Sequence, residues 1–123
     1  MSRIRILLIG VSGMLNEIVS AAIALEPDMT IVDSLLRRDE GLGAFTRQRR
    51  IDVVIYPAAD GCFDDDTILG LLKANPRLSL LALDGERDAG TLHRLAPAHD
   101  AIGRLAQSSL AAAIRAGAGF WAR

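Results

Sequence analysis

The chain has 123 residues, half of them apolar, with 14 Lys and Arg against 15 Asp and Glu and a formal net charge of -1. A chain of this length fits one domain, residues 1–123, around one core, and the composition is too apolar for a disordered segment. Interspersed, nearly balanced charge gives no electrostatic case for nucleic acid, whose phosphates demand clustered Lys and Arg, so a protein or a small ligand is the expected partner.

The one cysteine, Cys62, cannot close an internal disulfide, and no Cys/His grouping has zinc-ligand spacing. A reducing, cytoplasmic setting without a metal or cofactor is therefore expected. The opening Met1-Ser2-Arg3-Ile4-Arg5 with Ile6 to Ile9 imitates a signal peptide, but Gly10, Asn16 and Glu17 interrupt the apolar run. No apolar stretch approaches the about 18 residues needed to span a bilayer.

Ile4 to Ile9 is a nearly continuous apolar run ending at glycine, the pattern of a parallel strand buried on both faces. From Ser12, a plausible N-cap, Leu15, Ile18, Val19, Ala22 and Ile23 recur at helical spacing until Glu26-Pro27-Asp28 stops them. Met29 to Val32 reads as strand two. Arg37 to Arg50 reads as an exposed helix with Leu42 and Phe45 as its apolar contacts, weakened by Gly41 and Gly43. Val53 to Tyr56 is β-branched and apolar, a third strand ended by Pro57.

After a loop from Ala58 to Phe63, Asp64-Asp65-Asp66 places negative charge where a helix begins. Ile68, Leu69, Leu71 and Leu72 supply its buried side, and Asn75-Pro76 stops it. Leu78 to Leu83 is strand four. Thr91, Leu92 and Leu95 suggest a short fourth helix ended near Pro97, Ala101-Ile102 a brief fifth strand, and Ser108 to Ala116 an Ala-rich last helix. Strict β-α alternation predicts a parallel sheet with helices on both faces and any ligand groups at the carboxyl ends of the strands.

Glu26-Pro27-Asp28, the run Asp52-Val53-Val54-Ile55, the run Asn75-Pro76-Arg77 and the tail Ala112 to Gly117 through Phe120-Trp121 together resemble the receiver domain of two-component response regulators, over nearly the whole chain. The resemblance implies a flavodoxin-like, three-layer α-β-α sandwich with a five-stranded parallel sheet in the order 2-1-3-4-5. It also implies a bacterial two-component setting.

In that family two acidic residues after strand one hold Mg²⁺, an aspartate ending strand three accepts the phosphoryl group, a Ser or Thr ends strand four and a Lys ends strand five. Here those positions fall on Gly10 and Val11, Pro57, Asp84 and Arg104. Gly10 and Val11 offer no side-chain oxygen to a hard cation, and Pro57 has no nucleophile. Asp84 would repel an incoming phosphoryl group; only Arg104 keeps the family's charge.

The expectation is a degenerate, pseudo-receiver member of the family: a non-enzymatic, phosphorylation-independent signalling module acting through a protein partner or a homodimer. The resemblance places the contact face on the fourth helix, fifth strand and last helix, with Leu92, Leu95, Leu105 and Leu110 as its apolar contacts. Asp84 and Arg104 are expected to pair across the vacated pocket.

The turn Gly10-Val11-Ser12-Gly13 also resembles the dinucleotide-binding turn of Rossmann enzymes such as the dihydrodipicolinate reductases, and Asp33, just after strand two, falls where a ribose-binding acid belongs. The third glycine position is Asn16, and no substrate domain follows. Glycines permitting a tight strand-to-helix turn account for the pattern more simply.

Asp60, Asp64, Asp65 and Asp66 are explained by helix capping and the helix dipole rather than by a relocated metal site. Arg37, Arg38, Arg47, Arg49 and Arg50 flank the second helix and read as a solvated face, with docking of an acidic partner as the sharper alternative. His93 and His99 lack ligand-spaced neighbours, and Cys62 beside Phe63 reads as an inert thiol.

Overall fold

The computed structural model describes residues 3–11, 13–35, 42–58, 64–85, 89–93, 100–102 and 110–115. The apolar runs expected as strands form β1 (Ile4–Ile9), β2 (Met29–Leu35), β3 (Val53–Pro57) and β4 (Ser79–Asp84). Between them lie α1 (Gly13–Ala24), α2 (Leu42–Gln48) and α3 (Asp65–Ala74). Two further strands, β5 (Ala89–His93) and β6 (Asp100–Ile102), precede a helical segment at residues 110–115.

The six strands form one sheet in the order β2-β1-β3-β4-β5-β6. The first four are parallel, as the β-α alternation requires. A bulge between Ile6 and Leu7 shifts the register, so that Ile6 faces Ile31 while Leu7 faces Asp33.

Alternation along the pleat sends successive residues to opposite faces and so divides the core. Ile6, Leu8, Val53, Ile55, Leu81 and Leu83 pack with Val19, Ala22 and Ile23 of α1 and with Leu110 and Ile114. Leu7, Ile9, Val54, Tyr56, Leu80 and Ala82 pack with Leu42 of α2 and with Ile68, Leu71 and Leu72 of α3. Helices thus cover both faces, which is why β1, β3 and β4 read as continuous rather than alternating apolar runs. Each fully buried Leu or Ile side chain contributes about 1.5–3 kcal/mol.

The helix ends follow the sequence closely at α3. Asp64 Oδ1 accepts the Thr67 N–H at 2.8 Å, and at the other end the Asn75 N–H donates to the Leu71 carbonyl at 3.0 Å. The helical segment 110–115 is tied to the start of β2 by Arg115, which donates to both carboxylate oxygens of Asp28, at 2.9 and 3.0 Å, and also to Glu26. The Arg115 hydrogen bond holds the Asp28 carboxyl below its ordinary range, the backbone N–H of Asp28 and the Arg115 charge adding to this against the effect of burial.

The far edge of the sheet corrects the sequence reading. Thr91 and Leu92, expected in a fourth helix, lie in β5, which runs antiparallel to β4 with Asp84 opposite Ala89 and Leu81 opposite Leu92. β6, which contains the expected fifth strand, is antiparallel to β5. Among the described residues the sheet therefore has six strands with two antiparallel pairings, not five parallel ones. The physical reason is periodicity: Gly90 and Leu92 are buried while Ala89, Thr91 and His93 are half-buried, an alternation of two that fits a pleat and not a helix. The link between Asp84 and Ala89 is four residues with Gly85 first, a length and composition that suit a hairpin loop. Strand β2 also runs three residues beyond Val32, and α2 ends at Gln48, two residues before Arg50, residues 36–41 lying outside those described.

Candidate functional site

At the carboxyl ends of the parallel strands, Gly10 follows β1 with φ 67°, a left-handed conformation that L-residues adopt at a cost of about 1–2 kcal/mol. Its N–H donates to the Leu35 carbonyl at 2.8 Å, which closes the turn against β2. Val11 is buried, Pro57 closes β3, and Asp84 closes β4 half-buried. Arg104, the expected partner of Asp84, lies outside the described residues, as do Cys62, Asp60 and His99. Among the described residues no three His, Cys, Asp or Glu side chains gather as a metal cluster.

The turn expected to cradle a dinucleotide is built differently from that expectation. Gly13, with φ 60°, has open space where a Cβ would stand, so its backbone angle and not a close approach calls for glycine. The Gly10 amide is already spent on Leu35, and Ser12 lies outside the described residues. Asp33 lies within β2 rather than after it, and its Oδ1 accepts the Ser34 N–H at 2.8 Å.

Of the four leucines expected on the apolar contact face, two are described. Leu92 and Leu110 are 2% and 1% exposed and belong to the core, while Leu95 and Leu105 lie outside the described residues. The large apolar side chains that are exposed among the described residues are Met14, Leu25 and Leu69.

The opposite, amino end of the sheet carries a cleft of about 590 Å³ that sequence reading did not assemble. Parallel pairing brings the starts of β1, β3 and β4 to one edge, and the C-terminal ends of α2 and α3 arrive there because each helix returns the chain to a strand start. Arg3 and Arg5 come from β1 and the residue before it, Arg47 and Arg50 from the end of α2, and Arg77 from the link between α3 and β4. Ile51, Asp52 and Asn75 complete the lining.

Asp52 is the knot of this edge. Its Oδ2 accepts the Arg5 N–H at 2.8 Å, its N–H donates to the Arg5 carbonyl at 2.8 Å, and its carbonyl accepts the Ser79 N–H at 3.0 Å. One residue thereby fixes the register of β1, β3 and β4. Burial pushes its carboxyl above the ordinary value, against the Arg5 backbone bond and the charges of Arg5 and Arg77.

Arg5 Nε donates to the Arg49 carbonyl at 2.8 Å, holding the end of α2 to β1, and the Arg49 guanidinium lies 5.3 Å from the centre of the Phe45 ring. Among the described residues no ion pair ties Arg3, Arg47, Arg50 or Arg77 to a carboxylate.

The end of α2 is a Schellman turn: the Ile51 N–H donates to the Thr46 carbonyl at 2.9 Å and the Arg50 N–H to the Arg47 carbonyl at 3.2 Å. The residue that must turn left-handed is Arg50, at φ 54°, the one non-glycine with positive φ among the described residues. Glycine is the usual occupant of that position.

No protein-family model matches the chain, and no curated protein matches it in sequence.

Proposed function

We propose that the chain is a receiver-like regulatory domain of flavodoxin-like topology that works by binding and not by phosphoryl transfer. The observation that carries this reading is the parallel β2-β1-β3-β4 part of the sheet, covered by helices on both faces, whose carboxyl ends bear Gly10, Val11 and Pro57. A loose, highly charged phosphoryl transition state needs a metal held by oxygen ligands and an acceptor nucleophile, and these three side chains supply neither.

Of the partner face that the resemblance implied, Leu92 lies in the antiparallel β5 and Leu110 is buried, while Leu95 and Leu105 lie outside the described residues. The partner remains a protein or a small ligand. The test is an amide NMR spectrum of the chain before and after Mg²⁺ with beryllofluoride, a mimic of the aspartyl phosphate. The reading expects no saturable shifts at Gly10, Val11, Ala58 and Asp84; saturable shifts there would mean a working phosphoacceptor and end it.

A further inference from the structure

We propose that the arginine cleft at the amino ends of β1, β3 and β4 binds a compact, multiply charged phosphate anion, of the size of a di- or triphosphate group. The inference does not depend on the receiver-like reading. It rests on three independent observations.

The first is charge. Five arginines line one cleft whose described lining holds a single carboxylate, on a chain whose formal net charge is -1. Arg3, Arg47, Arg50 and Arg77 have no ion-pair partner among the described residues. Guanidinium presents planar, paired N–H donors that match phosphate oxygens two at a time. The lone acid, Asp52, has one oxygen engaged by the Arg5 backbone N–H.

The second is shape. About 590 Å³ lies within the range of small-molecule sites, roughly 300–1,000 Å³. Among the described residues the lining has no aromatic ring on which a base could stack, which favours recognition of the phosphates themselves over a single-stranded nucleic acid.

The third is strain. Arg50 occupies the left-handed position of the α2 Schellman turn, where glycine would sit without cost. A favourable effect of cations on helix C-termini explains a residue such as Arg47 in the last turn of α2. It explains neither Arg3 and Arg77, which lie outside the helices, nor the choice of arginine where the backbone favours glycine. Strained residues cluster at ligand sites, and Arg50 is a strained residue that lines the cleft. The carbonyl ends of α2 and α3 work against an anion, so the guanidiniums carry the attraction.

The test is isothermal titration calorimetry of the whole chain with inorganic tripolyphosphate, at low and at physiological salt. The expected result is saturable one-to-one binding that weakens with salt. It should weaken by about tenfold or more in Arg50→Gly, in Arg47→Gln and in Arg77→Gln, each of which loses charge-assisted hydrogen bonds. Arg115→Gln, which removes the same charge from an arginine already engaged by Glu26 and Asp28, should bind as the parent does.

Arg50→Gly keeps the result interpretable, because it should lose affinity while its Tm stays equal or rises, so lost binding is not lost folding. Absence of saturable binding overturns the proposal. So does binding that Arg50→Gly, Arg47→Gln and Arg77→Gln leave unchanged, or a short single-stranded RNA that binds more tightly than tripolyphosphate.

Discussion

The two ends of the sheet solve the same local problem in opposite ways. Each has a chain reversal with a left-handed residue: at the carboxyl end Gly10 takes φ 67° and Gly13 takes φ 60°, and at the amino end Arg50 takes φ 54°. Where glycine makes the turn, the backbone is relaxed, Val11 beside it is buried, and the Gly10 amide is spent on β2. Where arginine makes the turn, the backbone is strained and the side chain lines a cleft with four other arginines. Parallel α/β sheets ordinarily hold ligands at the carboxyl end. Here the relaxed end is the one where ligands would be sought first, and the strained, arginine-lined end is the other.

The comparison presumes that both ends hang on one sheet whose far edge, β5, is core. Leu92→Ala should therefore cost about 2–5 kcal/mol in chemical denaturation, the loss expected for a buried leucine. A cost below about 0.5 kcal/mol would return Leu92 to the surface and dissolve the β4–β5 hairpin.

Next in size is the relaxed end itself. Gly10→Ala should destabilise by about 1–2 kcal/mol, because the added Cβ must adopt a left-handed angle. Arg50→Gly at the strained end should move the other way, stabilising by up to about 1 kcal/mol, reduced by the extra freedom glycine gives the unfolded chain. Two changes of the same sign would erase the contrast between the ends.

The smallest effect concerns Asp52. Its carboxyl is raised chiefly by burial, so the folded chain holds that proton more tightly than the unfolded one does. The group therefore opposes folding above its folded pKa, and the penalty fades as pH falls through that value towards the unfolded one. Asp28, lowered chiefly by its Arg115 hydrogen bond, does the reverse: its contribution is present above the unfolded pKa and is lost as pH falls through the folded one. Asp52→Asn keeps an acceptor for the Arg5 N–H and should gain a few tenths of a kcal/mol at pH 7 in a solvent-screened setting, with the gain vanishing in acid. Equal effects at both pH values would assign Asp52 a role in packing alone.

Much of the frame was legible from the chain. β1, β3 and β4 are buried on both faces and so announce themselves as apolar runs, and α3 carries its own start at Asp64 and its own stop at Asn75-Pro76. β5 is harder to read because Leu92 and Leu95 imitate helical spacing over a stretch too short for period two to dominate; the short Gly85-led link before it is the sequence feature that favours a hairpin. The cleft was illegible for a different reason. Arg47 and Arg50 stood out as a cluster beside the second helix, but Arg3, Arg5 and Arg77 join them only when parallel pairing aligns the starts of three strands. Linear charge patterning, nearly balanced along the chain, could not show that.

The central claim is that ligand chemistry has moved to the amino end of the sheet, and backbone NMR tests it most directly. With tripolyphosphate, the account predicts saturable amide shifts at Arg5, Arg50, Ile51, Asp52 and Arg77, and none at Gly10, Val11, Ala58 and Asp84. The reverse pattern, with the carboxyl end responding and the arginines silent, would contradict it.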